Sequence, residues 1–374
     1  MSVSLRKSQD SDSFPVEAGG VAYGRRHGRG AQTNRSGRFE PLSYQPADDG
    51  WETLGGLEAL TTEVQEVPAR RIITRNQSPD IGFDRSINPY RGCEHGCIYC
   101  FARPTHAFLG LSPGLDFETK LFAKTNAAQA LERELAEPNY RVRTIAVGTN
   151  TDPYQPIERR YRIMRRILEI LSATNHPVGI VTKSALVLRD LDILQSMAKR
   201  GLVKVALSVT TLDRKLARAM EPRASMPDRR LETLEKLSAA GVPTSVMVAP
   251  VIPGLNDAEM ERILERAAAA GVTEAGYVLL RLPLEIGDLF VEWLRSNCPD
   301  RANRVLSLMR QTRGGKLYDS KWGERMEGDG PYAWMLGRRF EMAAERLGLN
   351  ERSMELRTDL FTPPARPGQQ LRLL

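Results

Sequence analysis

The chain has 374 residues, enough to bury a large core without disulfide bonds. Its four cysteines, three of them within eight positions, and its lack of a leader-like opening argue against a disulfide-rich secreted protein, so we expect a cytoplasmic location. No apolar run approaches the roughly 20 residues of a membrane-spanning helix, so we expect no membrane partner. The formal net charge of +7 makes a polyanionic partner such as nucleic acid conceivable but says nothing about fold.

Residues 1–50 are rich in Ser, Gly, Arg and Asp and lack apolar periodicity. Such a segment buries too little surface to offset the entropy of ordering, so we predict a disordered basic arm. Five arginines and no acidic residue lie between positions 18 and 39. The arm is therefore either a solvated tail or a segment that grips phosphate. Residues 51–85 are assigned to a pre-barrel segment.

From residue 86 onward, short β-branched runs alternate with helical patterns, which is typical of parallel β/α architecture. The six predicted strands lie at 86–90, 144–148, 178–182, 203–209, 244–251 and 275–280. The predicted helices lie at 127–136, 160–173, 190–199, 228–239, 257–269 and 285–296, with a further one at 335–347.

Three of these helices stop at Gly201, Gly241 and Gly271, where glycine supplies the left-handed residue that ends a helix. Six units are two short of a complete eight-fold barrel. The predicted fold class is therefore α/β, a partial (β/α)6 TIM-like barrel over residues 86–296. A C-terminal extension of mixed Gly, Arg and aromatic character follows at 297–374.

Cys93, Cys97 and Cys100 lie on a loop after the first predicted strand, at spacings of four and three residues. Thiolates are soft ligands that suit iron–sulfur clusters or zinc. A structural zinc site takes four protein ligands, usually from two separated pairs, and this sequence has no second Cys-x-x-Cys pair. His95 could complete a zinc site only by folding back between two cysteines. An iron–sulfur site is favoured, with zinc and plain buried cysteines as the alternatives.

The C-x3-C-x2-C spacing, with Tyr99 directly before the last cysteine, resembles the radical S-adenosylmethionine (SAM) superfamily. The stretch 86–103 is similar to the branch that contains spore photoproduct lyases and uncharacterised DNA-repair-photolyase-like members. The resemblance implies a partial barrel of the radical SAM type and a [4Fe–4S] cluster on Cys93, Cys97 and Cys100, with SAM on the fourth iron. It also implies reductive cleavage of SAM to a 5′-deoxyadenosyl radical that takes hydrogen from a substrate, and a low-potential electron donor such as flavodoxin or ferredoxin.

In barrels, functional groups come from the carboxyl ends of the strands. The resemblance assigns Tyr99 to packing beside the cofactor, the alternative being an aromatic that only packs the loop. It assigns Thr151 and Asp152 to the SAM amino group, although Asp152 also suits an Asx turn before Pro153. Lys183 is expected to pair with the SAM carboxylate, or else to extend to solvent at the barrel rim.

Ser208 and Arg223 are similar in position to residues that contact the SAM ribose and carboxylate. Asn256 lies in a segment similar to the adenine-binding segment of the family, and it could equally be the N-cap of the next helix with Asp257. Arg281 either faces substrate or pairs with a nearby acid. No residue is assigned a catalytic role.

Three functions stay open. A radical reaction on DNA or RNA is the leading hypothesis, radical modification of a protein or small metabolite is the second, and a zinc-stabilised nucleic-acid-binding protein is the third. The sequence departs from spore photoproduct lyases in one respect: no cysteine lies between positions 144 and 160, where those enzymes carry a hydrogen donor. The one cysteine outside the loop is Cys298.

Overall fold

The computed structural model describes residues 28–39, 60–352 and 354–365. The strands are β1 Glu63–Glu66, β2 Ile73–Arg75, β3 Arg85–Ile87, β4 Tyr90–Arg91, β5 Lys120–Ala123, β6 Ile145–Val147, β7 Val178–Thr182, β8 Val203–Ser208, β9 Thr244–Val251 and β10 Glu274–Leu279. The helices are α1 Asp116–Thr119, α2 Ala127–Leu135, α3 Glu158–Tyr161, α4 Ile163–Ala173, α5 Leu191–Ala198, α6 Arg214–Met220, α7 Pro227–Ala239, α8 Met260–Ala269, α9 Ile286–Asn297, α10 Pro299–Gln311 and α11 Gly330–Arg346. Short 3-10 segments lie at Arg103–Leu109, Ala185–Asp190 and Asp257–Glu259.

The main sheet has the strand order β10-β9-β8-β7-β6-β3-β2. The six strands β3, β6, β7, β8, β9 and β10 are parallel and follow one another in chain order, and β2 pairs antiparallel with β3 at the edge. These six strands coincide with the six predicted runs, which confirms the partial α/β barrel. Parallel strands are buried on both faces, so the β-branched runs that fill them are visible in the sequence.

A second, three-stranded sheet with the order β1-β5-β4 was not predicted. Its strands are only two to four residues long, and β1 has the polar sequence EVQE, so neither length nor alternation marks them. The two-residue strand β4 leads directly into the cysteine loop and pairs with β5. This small sheet therefore fixes the entry to the loop.

The segment predicted as a single helix at 160–173 forms two helices, α3 and α4, so the prediction is wrong in this respect. Between them Arg162 adopts a left-handed backbone, with φ of 48°. The buried carboxylate of Glu158 accepts hydrogen bonds from the N–H groups of Ile163 and Met164, at 3.0 and 3.1 Å, and so caps the start of α4. A helical periodicity does not reveal such a break.

Residues 28–39 fall within the predicted disordered arm, and for them that prediction is wrong. Ala31 is fully buried, and the N–H groups of Gly30 and Ala31 donate to the buried Glu118 carboxylate at 3.0 and 2.8 Å. The Arg29 guanidinium donates to the Glu118 carbonyl at 2.9 Å. Backbone donors bonded to a buried carboxylate hold this segment although it carries little apolar surface. The rest of the predicted arm lies outside the described residues.

The C-terminal extension packs onto the barrel through α11. Leu336 and Phe340 of this helix belong to the main hydrophobic core, and Arg339 forms a bidentate ion pair with Glu261 of α8 at 2.7 Å. The predicted helix at 335–347 begins earlier, after Asp329, whose side chain accepts from the N–H of Gly330. The boundaries assigned to the domains stay predictions. Among the described residues, no helix combines the length and apolarity needed to cross a membrane.

The glycines predicted to end helices do so. Gly201, Gly241 and Gly271 have φ angles of 70°, 74° and 83°, which is the left-handed conformation that the prediction requires. The glycines differ in the space that is free for an added Cβ. A Cβ added at Gly241 would meet nothing within 4 Å, whereas one at Gly271 would lie 3.0 Å from the Cβ of Ser238.

These two glycines give a matched stability test. Gly241→Ala should lower the free energy of unfolding by about 1–2 kcal/mol, because it adds only the left-handed strain of an L residue. Gly271→Ala should lower it further, since the same strain is joined by the close contact with Ser238. Thermal melting followed by circular dichroism ranks the two variants. Equal melting temperatures would contradict this expectation, because they would show that α7 shifts at Ser238 without a cost in free energy.

Candidate active site

The three cysteines lie on a loop that continues from β4 across the carboxyl ends of the parallel strands. The N–H of Cys93 donates to the carbonyl of Phe117 at 2.9 Å, and the N–H of Ile98 donates to the carbonyl of Met220, at the end of α6, at 3.0 Å. Cys93 and Cys97 are buried, Cys100 is half-buried, and all three thiols are free. The loop is thus fastened at both ends to neighbouring elements.

The side chain of Gln155 fastens the middle of the same loop. Its Oε1 accepts from the N–H of Glu94 at 2.9 Å, and its Nε2 donates to the carbonyl of Gly92 at 3.1 Å. Gln155 is fully buried and lies in the polar segment that follows β6. The sequence did not assign it a role, since an amide in a polar segment carries no sign of its partners.

A buried ion pair supports the loop from the other side. Arg103 and Glu118, both fully buried, lie 2.5 Å apart. Arg103 also donates to the carbonyls of Cys97 and Gly96, at 2.9 and 3.1 Å, while Glu118 holds residues 28–39. The 28–39 segment approaches the loop so closely that a Cβ at Gly30 would lie 1.8 Å from the Gly96 carbonyl oxygen. One ion pair therefore joins the cysteine loop and the N-terminal segment.

The thiols lie near one another in a buried environment. Burial raises the pKa of Cys93 well above its usual range and the pKa of Cys97 to about 12, and the other loop thiols add to the effect on Cys93. Burial also raises the pKa of Cys100. A metal centre bound by these thiols would require them to ionise, so its binding would release protons.

Beneath the loop lies a buried polar network around Glu221. The Tyr99 hydroxyl and the Thr210 hydroxyl both donate to Glu221, the latter at 2.6 Å, and Arg230 forms an ion pair with it. Burial alone would raise the pKa of Glu221, but the Arg230 charge is the main factor that lowers it to about 2. Arg230 also donates to the carbonyl of Ser208 at 2.8 Å. The network fixes the Tyr99 ring against the cysteine loop.

Lys183 follows β7 and faces the same loop. Its Nζ lies 5.7 Å from the centroid of the Tyr99 ring, and its charge acts to lower the pKa of both Cys97 and Glu221. In the described part of the chain it makes no ion pair with a carboxylate. Lys183 is thus a half-buried cation close to the cysteine loop, and its pairing with the SAM carboxylate stays a prediction.

Asp152 makes the contacts of an Asx turn, which was the alternative to its predicted role in binding SAM. Its Oδ1 accepts from the N–H of Tyr154 at 2.9 Å, which is an Asx turn, and from the Thr182 hydroxyl at 2.7 Å. Its Oδ2 accepts from the N–H of Lys183 at 2.8 Å and lies 3.3 Å from Nδ1 of His95. Burial would raise the pKa of Asp152, but His95 and these donors lower it to about 2. Asp152 ties the second strand end to the third.

Asn256 is also engaged with the backbone. Its Nδ2 donates to the carbonyls of Thr210 and Pro250 at 2.7 and 3.0 Å, and its Oδ1 accepts from the N–H of Ile252 at 2.6 Å. Asn256 occupies the N-cap position of the following 3-10 segment, as its alternative role predicts, but its side chain makes no capping hydrogen bond there. Both amide hydrogens are used within the chain, so Asn256 has no side-chain donor left for a cofactor.

The remaining predicted residues lie at the same rim. Thr151 is buried and donates to the carbonyl of Tyr90 at 2.9 Å. Ser208 is buried at the end of β8. Arg223 lies 3.4 Å from Glu94, so it pairs with the cysteine loop itself. The structure therefore brings the predicted residues together, although it engages several of them with the protein.

The chain belongs to the radical SAM superfamily and is a radical SAM enzyme: residues 87–267 match the family described as the Radical SAM superfamily. Members of this family generally use a [4Fe–4S] cluster and SAM. Uncharacterised proteins of Mycobacterium tuberculosis and Mycobacterium bovis are 41% identical to it over 285 residues, which covers 72% of this chain and 83% of theirs. An uncharacterised protein of Methanocaldococcus jannaschii is 26% identical over 53% of this chain and 71% of its own length.

The fold is similar to that of spore photoproduct lyase. A structure of that enzyme complexed with a dinucleoside spore photoproduct superposes with a TM-score of 0.56 at 16% identity, over 79% of this chain and 86% of that one. A variant with bound AdoMet and the dinucleoside gives 0.54 at 16% identity, over 76% and 80% of the two chains. At these identities the likeness concerns the fold.

The Gln155 clamp can be tested directly. Gln155→Leu removes both loop bonds and leaves the Glu94 N–H and the Gly92 carbonyl buried without partners, at a cost of about 1–3 kcal/mol for each group. We expect a lower melting temperature and less iron retained after anaerobic reconstitution. Gln129→Leu, the same change at an exposed position of α2, is the control. Iron content and melting equal to those of the control would contradict the clamp.

Proposed function

We propose that this radical SAM enzyme holds a [4Fe–4S] cluster on Cys93, Cys97 and Cys100, binds SAM beside it, and acts on nucleic acid. The observation that carries the proposal is that one fastened loop holds two buried thiols, Cys93 and Cys97, and the half-buried thiol of Cys100 close to Lys183, a cation without a carboxylate partner in the described chain. The thiols suit the cluster because thiolates are soft ligands of the kind that hold iron–sulfur clusters.

A single zinc ion fits these residues less well. Its ligands must converge to within about 2.0–2.3 Å of one point. A structural zinc ion takes four protein ligands, and the loop offers three cysteines. A cluster distributes its thiolates over several irons, so it does not require that convergence. His95, the remaining zinc candidate, is directed at Asp152 instead.

When reduced, the bound cluster supplies the electron that cleaves SAM to methionine and a 5′-deoxyadenosyl radical. The chain's own residues would orient the reactants. Lys183 pairs with the SAM carboxylate, and Tyr99, held by Glu221, covers one side of the cysteine loop. Burial and the neighbouring Cys97 raise the pKa of Tyr99 well above its usual range, so it stays a neutral hydrogen-bond donor.

Nucleic acid is proposed as the substrate on the basis of charge. Between residues 301 and 325 seven basic residues face two acidic ones. Arg301, Arg304 and Arg310 of α10 are exposed and form no ion pair within the described residues, whereas Lys321 and Arg325 are paired with Glu324 and Asp80. Unpaired surface arginines are what a phosphate backbone would contact. The similar fold of spore photoproduct lyase, solved with a dinucleoside spore photoproduct, is consistent with this substrate class.

The proposed activity is measured by the formation of 5′-deoxyadenosine. Protein reconstituted without oxygen and given dithionite and SAM should release 5′-deoxyadenosine, and Cys97→Ala should lower the rate at least a hundredfold because one cluster ligand is lost. Cys298→Ala, a cysteine outside the loop, should keep the parent rate. Liquid chromatography of the nucleoside provides the measurement. Equal rates for Cys97→Ala and the parent protein would overturn the proposal.

Lys183 is expected to act in SAM binding rather than in cluster assembly. Lys183→Met should keep its iron but weaken SAM binding by about 10–100-fold, the value of one hydrogen bond to a charged group. Equilibrium dialysis with labelled SAM measures the affinity. Lys199→Met removes an exposed lysine of the same type and should bind as the parent does. Loss of iron in Lys183→Met, with SAM affinity kept, would contradict the assignment.

A further inference from the structure

Arg281 lies just after β10, at the rim that carries the cysteine loop, and it has no acidic partner among the described residues. The Cζ of its guanidinium lies 5.2 Å from the centroid of the Phe101 ring, and its Nη1 lies 3.5 Å from the sulfur of Met326. Its Nε is buried and makes no hydrogen bond. The sequence left open whether Arg281 pairs with an acid, and the part of the chain that the structure describes supplies none.

A second arginine lies behind the first. Arg313 is only 3% exposed and donates to the carbonyls of Glu324 and Leu280 at 2.8 and 3.1 Å, while its Nε has no partner. Burial lowers the pKa of Arg313, and the nearby positive charge of Arg281 lowers it further. Asp319 acts in the opposite direction but forms no ion pair with either arginine. Buried charges in proteins are normally paired, whereas this pair of cations has no ion-pair partner within residues 28–39, 60–352 and 354–365.

An exposed aromatic ring completes the arrangement. Phe101 directly follows Cys100 and is 43% exposed, although a ring of this size is ordinarily buried. The ring is therefore accessible to solvent directly beside the last cysteine of the loop, with the Arg281 guanidinium against it. An accessible aromatic ring beside an unpaired cation is the combination by which proteins hold single-stranded nucleic acid, since the ring stacks on a base and the cation binds phosphate.

We propose that Phe101 and Arg281, backed by Arg313, form a nucleotide subsite in which Arg281 binds a backbone phosphate and Phe101 stacks on the neighbouring base. This inference rests on the proposed function and specifies how its substrate is held. Because Phe101 adjoins the last cysteine of the loop, the nucleotide so bound lies next to the centre where the radical would form. An acidic peptide would neutralise Arg281 and Arg313 but would leave the exposed Phe101 ring without a base to stack on.

The test is binding of a labelled 12-nucleotide single-stranded DNA, and of the RNA of the same sequence, to the reconstituted full chain. Fluorescence anisotropy is recorded between 50 and 200 mM salt. Arg281→Gln should weaken binding at least threefold and reduce the slope of log affinity against log salt by about 0.7, the value for one phosphate contact on a single strand. Phe101→Ala should weaken binding about tenfold with an unchanged slope, because stacking releases no counterions.

Two further variants provide controls. Arg281→Lys keeps the charge and should retain the parent salt slope. Arg71→Gln removes the same charge from an exposed arginine paired with Glu137, and it should bind within twofold of the parent. Melting temperatures confirm that each variant is folded before its affinity is compared.

The possible results distinguish failure of the proposed subsite from failure of the proposed substrate class. If Arg281→Gln and Phe101→Ala bind as Arg71→Gln does, the subsite is wrong while the nucleic-acid substrate stands. If the parent protein binds neither oligonucleotide at any salt concentration, the proposed substrate itself fails. An acidic peptide that displaces the oligonucleotide from the parent protein at equal concentration would also overturn the subsite.

Discussion

The cysteine loop lacks helix or strand hydrogen bonding over most of its length, so its buried N–H and C=O groups must find partners elsewhere. The structure meets this constraint with side chains and carbonyls from several different elements: Gln155 after β6, Arg103 after the loop, Phe117 in α1 and Met220 in α6. Because each partner comes from a separate part of the fold, the position of the thiols depends on the barrel as a whole.

The same constraint explains why much of the polar rim serves the protein itself. Asp152 joins two strand ends, Asn256 joins two others, and Glu221 is neutralised by Arg230. Breaking a buried pair such as Glu221–Arg230 by removing one partner costs about 3–5 kcal/mol, so these groups are poorly placed to exchange partners. Lys183 differs from them, because it faces the loop without a carboxylate partner among the described residues, and Arg281 likewise lacks an acidic partner there.

The fold could be predicted wherever burial leaves a pattern. The six parallel strands and the three helix-ending glycines follow from β-branched runs and from left-handed backbone requirements. The short strands β1, β2, β4 and β5, the break at Arg162 and the packing of residues 28–39 could not be predicted, because each depends on particular hydrogen-bond partners that leave no periodic pattern in the sequence. Within the site, the spacing identified the cysteines, but no pattern showed that Gln155 or Arg103 would meet their loop.

The central claim is that three thiols from one loop bind a polynuclear iron centre. Analysis of iron, acid-labile sulfide and zinc in protein purified and kept without oxygen tests this most directly. A [4Fe–4S] cluster on these thiols would give about four iron and four sulfide per chain, with little zinc. One zinc per chain without sulfide would contradict it, and the thiols would then belong to a structural site.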